Sequence, residues 1–251
     1  MKNLLSAILL LLIMPLGFSQ TIDYVGISSK LVASAKSQNG KESELMDIIA
    51  KADETILLEQ LKSDTEKKAF FINVYNAFTN ISLRKNPDQY KDRGAFFKSE
   101  QFTIAGNKVS LDNIEHDFLR RSSIKWSLGA LHKIFPSKLE RKFRVEDVDY
   151  RIHFSLNCGA KSCPPVGIYD AKNLDKQLDA STDKYLKANS SYDAKTDKLI
   201  VPALMSWFRG DFGNKRGVWE ICRKFNIIPE DAKPKLSYKY YDWTLDIDNF
   251  L

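Results

Sequence analysis

Apolar positions along this chain recur mostly with the period of helices. Between residues 23 and 61, Leu45, Ile48, Ile49, Ile56, Leu57 and Leu61 follow helical spacing. Ser63 and Asp64 are placed to cap a longer helix beginning near Thr65, whose apolar set is Phe70, Phe71, Val74, Tyr75, Phe78 and Ile81. Asn86-Pro87 stops it, because the residue before a proline is pushed out of the helical region. The stretch FTIAGNKVSL, with Gly106-Asn107 between two short alternating runs, predicts a hairpin. Asp112 caps the next expected helix, DNIEHDFLRR, and residues 126–134 predict another. Residues 147–157 give the best strand pattern, with Tyr150, Ile152, Phe154 and Leu156 on one face and His153 and Ser155 on the other. An amphipathic helix is expected over 172–188, with Leu174, Leu178 and Tyr185 inward. A short strand over 199–202 and helices over 204–208 and 217–225 follow. The end, YKYYDWTLDIDNFL, is aromatic enough to dock on the core. The pattern is α+β: a mostly helical single domain with a small antiparallel sheet.

The first residues break the pattern. MKNLLSAILLLLIMPLGFSQ has a positive start at Lys2, an apolar centre and small residues before Gln20. This is the layout of a secretory signal peptide, residues 1–19, cut after Ser19. Its apolar run is too short to span a bilayer comfortably. The expected product is one exported domain, residues 20–251, periplasmic or secreted, with no stable membrane insertion. The composition is 43% apolar and 28% charged, ordinary for a globular protein. The net charge of +6 forms no stripe, since acids and lysines alternate in KSDTEKK and DAKNLDKQLD. Nucleic acid is therefore not an expected partner.

Candidate chemistry concentrates in RIHFSLNCGAKSCPPVGIYD, residues 151–170, which holds one of the three histidines and two of the three cysteines. The third, Cys222, shares a helical face with Val218, Ile221 and Phe225 and reads as core. Three readings of Cys158 and Cys163 stand side by side. In an oxidising compartment they can form a disulfide of modest benefit, because the loop is short. With His153 they offer three zinc donors, one short of a closed site. As a nucleophile, Cys158 is preferred over Cys163. Pro164-Pro165 lack N–H groups, whereas Gly159 and Ala160 follow Cys158 and can cradle an oxyanion. His116, flanked by Glu115 and Asp117, is the candidate base, and His132 reads as an ordinary helix histidine. Asn73 and Asn76, two amides on an aromatic helix, are candidates to orient the base or to pin backbone.

AFFINVYNAFTN, NIEHDFLRR and RIHFSLNCGAKSCPPVGIYD, in this order and spacing, together resemble the domain-of-unknown-function 547 family over roughly residues 66–189. The resemblance implies that the asparagine helix, the histidine helix and the cysteine loop converge, with Asn73, Asn76, His116 and Cys158 at the matching positions. The expected function is a cysteine-dependent hydrolase or acyl transferase acting on a peptide, amide or ester bond. Cys158 attacks, His116 shuttles the proton, Asn76 or Asn73 orients it, and Gly159 and Ala160 hold the oxyanion. Phe71, Tyr75, His153 and Tyr169 are expected to line the groove for a small-molecule or peptide substrate, without cofactor or metal. The alternative is a non-catalytic binding module of the cell envelope stabilised by a Cys158–Cys163 disulfide.

Overall fold

The computed structural model describes residues 22–251, and the signal peptide expected over 1–19 lies outside the described residues. The helical pattern of residues 23–61 resolves into α1 (Tyr24–Ser37), α2 (Glu42–Ala50) and α3 (Glu54–Gln60). Gln38 takes a left-handed conformation that ends α1, and the Asp53 carboxylate caps α3 by accepting from the Ile56 N–H.

The organising element is α4 (Asp64–Lys85). Ser63 caps its start as the sequence predicts, with Glu66 rather than Asp64 as its reciprocal partner. Residues 69–80 are buried without interruption, so this helix is enclosed all round rather than facing solvent on one side. Helix α1 lies along it, and α2 packs against α1. After a 3₁₀ turn (Pro87–Asp92) and α5 (Arg93–Lys98) comes the hairpin of β1 (Phe102–Ile104) and β2 (Asn107–Val109). Its turn residues are Ala105 and Gly106, both at positive φ, which gives the two-residue turn suited to strand twist.

Residues 113–119 form a π-helix (Asn113–Leu119) rather than an α-helix. Two wide-turn bonds mark it, from Arg120 N–H to the Glu115 carbonyl at 3.0 Å and from Ser122 N–H to the Asp117 carbonyl at 2.8 Å. Asp112 is not its cap: Ser110 and Asn113 bond each other's backbone N–H groups instead. The helix expected over 126–134 is a single 3₁₀ turn, Lys125–Ser127, ended by Leu128 and Gly129 at positive φ. Trp126, Ile134 and Phe135 are exposed there, so their spacing reflected no buried face. Helix α6 (Lys138–Phe143) then packs on the π-helix.

The strand expected over 147–157 is a 3₁₀ helix, Tyr150–Phe154, capped by the Asp149 carboxylate. Alternation misled here because Ile152 to Leu156 are all buried, so inward and outward positions carry no contrast. Helix α7 (Leu174–Asn189) packs against this turn. Strands β3 (Ser191–Asp193) and β4 (Lys198–Val201) pair antiparallel, and β5 (Lys235–Tyr238) joins β4 in parallel. The antiparallel sheet expected from the sequence is thus present as the β1–β2 hairpin, beside a second, mixed sheet. Between β4 and β5 lie α8 (Leu204–Trp207) and α9 (Asn214–Lys224).

Two apolar clusters result. The larger surrounds α4, and the smaller joins Phe154, α7, β4, α8 and α9 and contains Cys222 as expected. Burial pushes the Cys222 thiol up to about 12. Trp207 packs against both clusters. The terminal aromatic segment docks as expected, running over the cysteine loop with backbone bonds from Lys161 N–H to Thr244, Asp246 N–H to Gly159 and Val166 N–H to Asn249.

Candidate active site

A cavity of about 500 Å³ opens at the junction of the two clusters. Cys158, Cys163, His116, His153 and Tyr75 line it, together with Glu115, Arg120 and the aromatic group of Trp207, Tyr241 and Trp243. Four of the residues expected from the sequence therefore share one cavity: Cys158, His116, His153 and Tyr75.

Helix α4 fixes the cysteine loop. Asn76 donates to the Ser155 carbonyl at 2.8 Å, and its carbonyl accepts from the Asn157 N–H at 2.8 Å. The Asn157 side chain then accepts from the Gly159 N–H at 2.7 Å. Gly159 has φ +86°, and a Cβ there would sit 2.6 Å from Leu83. Only glycine fits that turn. The loop thus presents Cys158 half-buried and Cys163 buried.

The two sulfurs lie 2.7 Å apart, nearer than van der Waals contact and not joined in a disulfide. The Cys158 N–H points at the Cys163 sulfur at 3.0 Å, and the Tyr241 hydroxyl lies 3.1 Å from Cys163 and 3.6 Å from Cys158. Hydrogen bonding from Cys163 is the main influence on Cys158 and lowers its pKa; burial opposes this, while the Ala160 N–H and the Tyr241 hydroxyl assist it. Burial drives Cys163 the other way, well above an ordinary thiol, and its bond to Cys158 adds to the rise. The pair is asymmetric: its environment favours the thiolate on Cys158 and the thiol on Cys163.

The π-helix supplies the opposing polar wall. Arg120, almost wholly buried, places Nη1 2.7 Å from His116 Nδ1 and Nε 2.6 Å from Asp211 Oδ2. His153 Nε2 reaches the same Asp211 oxygen at 2.8 Å. Guanidinium only donates. Nδ1 of His116 must therefore accept, and its proton sits on Nε2. Burial lowers the His116 pKa well below its ordinary value, and the charges of Arg120 and Lys125 lower it further, so the ring is neutral. Burial likewise lowers His153, with Asp211 pulling back. Burial alone would raise Asp211, but the bonds from His153 and Arg120 hold it at about 2. Arg120, which is always charged, supplies the compensating charge. Asp211 reaches this position through a close crossing of two loops: Gly129 has φ +92°, and a Cβ on it would lie 2.2 Å from Asp211 Oδ1. Glu115 accepts from the Tyr75 hydroxyl at 3.2 Å, and burial raises it above the usual carboxylate range against the pull of Arg120.

Several sequence expectations need correction. His116 does not serve as a proton shuttle in this arrangement. To accept at Nε2 it would have to carry its proton on Nδ1, where Arg120 already donates. Asn73 and Asn76 do not orient His116. Asn76 holds the cysteine loop, and Asn73 brackets Tyr169 by bonding its carbonyl at 2.7 Å and its N–H at 2.9 Å. The Gly159 N–H is engaged by Asn157, and the Ala160 N–H is directed at the Cys158 sulfur, so neither forms the expected oxyanion cradle. Phe71 packs in the core with Phe118 and Phe143, at ring distances of 5.0 and 5.8 Å. Tyr169 is buried with its hydroxyl 2.8 Å from Ser181, so neither ring lines the cavity. His132 lies in irregular chain, bridged to Ser123, rather than in a helix. His153, Cys158 and Cys163 do not assemble as a ligand set, because His153 Nε2 faces Asp211.

Glu115, Arg120, Asp211 and Tyr241 are the residues sequence reasoning missed. Glu115 and Arg120 lie one residue before and four after His116, inside the motif that drew attention to the histidine. Asp211 is 91 residues from Arg120 in sequence, with no local motif to mark it.

The sequence profile of a family described as "Protein of unknown function, DUF547" matches residues 58–186. No curated protein and no solved structure matches the chain. The matched span contains α4, the π-helix and the cysteine loop, while Asp211 and Tyr241 lie beyond it. Among the described residues, no helix is long and apolar enough to cross a membrane.

Proposed function

This chain belongs to the DUF547 family, and from that premise we propose that Cys158 is the nucleophile of a hydrolase or acyl transferase acting on a peptide, amide or ester bond. One observation carries the reading. The half-buried Cys158 thiol lines the cavity, and donors from Cys163, Ala160 and Tyr241 favour its thiolate. A thiolate stabilised in this way needs no histidine base to activate it.

The remaining cavity groups take roles that their protonation states allow. The thiolate attacks the carbonyl carbon, and the electron pair moves to the carbonyl oxygen. Neutral His116 offers an Nε2–H as a fixed donor to that oxygen, the arrangement by which a depressed-pKa imidazole polarises a carbonyl. Glu115, raised by burial, gives its proton to the leaving group as the C–X bond breaks. The acyl group then sits on sulfur. Water or another acceptor attacks it, Glu115 takes back a proton and Cys158 leaves as thiolate. Export, and a small-molecule or peptide substrate, are proposed on the sequence alone.

The test is acylation by a phenyl thioester and a p-nitrophenyl ester, followed by mass spectrometry of peptides. An acyl group on Cys158, with an alkylation midpoint below that of the unfolded thiol, is the expected result. Its absence from Cys158 in folded, reduced protein rejects the reading.

A further inference from the structure

We propose that Cys158 and Cys163 are a dithiol–disulfide couple that exchanges with disulfides entering the cavity, Cys158 attacking and Cys163 resolving. This goes beyond acyl transfer: it uses the same first sulfur against a different electrophile and requires neither His116 nor Glu115.

Geometry carries it. Exchange needs one reachable sulfur and a second that can meet it from behind. Cys158 is half-buried and Cys163 is buried, and both border the cavity. Their sulfurs already touch at 2.7 Å, so a short closing movement makes a bond of about 2.05 Å. The donors are arranged for both steps. The Cys158 N–H faces the Cys163 sulfur at 3.0 Å, where it stabilises the resolving thiolate, and the Tyr241 hydroxyl lies against both sulfurs. The aromatic wall of Trp207, Tyr241 and Trp243 gives an incoming disulfide an apolar face, with rings 4.6 to 5.4 Å apart. The opposite asymmetry of the two thiols agrees with this division of labour. Cys222, buried in the other cluster, takes no part.

The Cys158 thiolate bonds to one sulfur of RSSR, the S–S bond breaks and RS⁻ departs. Cys163 loses its proton and attacks the Cys158 sulfur, releasing the second RS⁻. The Cys163 proton and the proton that Cys158 released to solvent on ionising end on the two released thiols. The incoming disulfide gains two electrons and the pair loses two, ending as Cys158–Cys163.

The experiment incubates reduced, full-length protein with oxidised glutathione and follows intact and peptide masses. Wild type is expected to lose two hydrogens and gain a 158–163 bridge that dithiothreitol reverses. Cys163→Ala is expected to accumulate glutathione on Cys158, and Cys158→Ala to react at least about tenfold more slowly than wild type. A wild type that folds yet forms no bridge, one whose bridge resists dithiothreitol under native conditions, or equal labelling of both sulfurs overturns the proposal. The wild-type arm decides the matter even where a variant fails to fold. Thioester acylation run in parallel separates the two readings. Acylation without exchange rejects only the couple, and exchange without acylation rejects only the acyl transferase.

Discussion

Asp211 balances the charge buried behind the site. Its carboxylate takes Arg120 and His153 at 2.6 and 2.8 Å and is held at about 2, against an ordinary 3.8. A depressed acid adds stability that is complete above its unfolded pKa and vanishes as pH falls through the folded one. For this nearly wholly buried group the difference is worth about 2 kcal/mol. Denaturant unfolding of the wild type should lose about that much between roughly pH 5 and pH 2 from this residue. Asp211→Asn leaves Arg120 without its counter-charge, so the variant should be less stable near neutral pH by about 3–5 kcal/mol. It should also show a flatter acid limb. A variant as stable as wild type at neutral pH, with the same acid limb, would remove Asp211 from this role. The same chain of bonds sets the tautomer of His116, so a residue without direct contact to that imidazole decides which of its nitrogens carries the proton. None of this was legible locally. His116 stood out in the sequence, but its protonation is dictated by Arg120, and Arg120 is held by an aspartate far along the chain.

At the scale of elements, α4 does more than fill the core. Two of its three buried amides reach outward from an enclosed aromatic helix to hold loops near the site: Asn73 clasps Tyr169, and Asn76 clasps residues 155–157. Asn76→Ala would orphan one buried carbonyl and one buried N–H, each worth about 1–3 kcal/mol. Melting followed by circular dichroism should therefore show a loss of about 3 kcal/mol, or roughly 6–12 °C for a chain of this size. Alkylation of Cys158 should lose its depressed midpoint in the surviving folded fraction. A shift under about 2 °C would mean that the clasp is ornamental. These elements were unequally legible. The Ser63 cap and the stop at Asn86-Pro87 appear where local chemistry puts them, and the hairpin forms with its turn at Ala105-Gly106, one residue before the expected Gly106-Asn107. The 147–157 strand and the 126–134 helix failed for opposite reasons. In the first, both faces are buried, so alternation meant nothing. In the second, the apolar residues point to solvent, so periodicity had no core to report. The π-helix carries no pattern of its own, since one widened turn leaves an ordinary amphipathic stretch.

For the whole molecule, the site is a joint product of regions distant in sequence. The profile match covers the sulfur loop and the imidazole helix, yet the aspartate and the tyrosine against the sulfurs come from residues 211 and 241. A chain ending after Tyr240 would lose Tyr241, the backbone bonds to residues 159–166 and the Asn249 bond to the Cys163 carbonyl at 3.0 Å. It should melt lower than the full chain and alkylate Cys163 at least about tenfold faster. Unchanged Cys163 protection in the truncated chain would show that the segment is dispensable. Convergence of the asparagine helix, the cysteine loop and the histidine segment was readable from motif order. The covering strap was foreseen only as something docked, because aromatic content reveals that a segment is buried and not what it buries. The strap also imposes an order of events. Residues 241–251 are synthesised after everything they touch, so a nascent chain carries two uncovered sulfurs with no phenol beside them. The shelter of Cys163 is therefore complete only once the last eleven residues have docked.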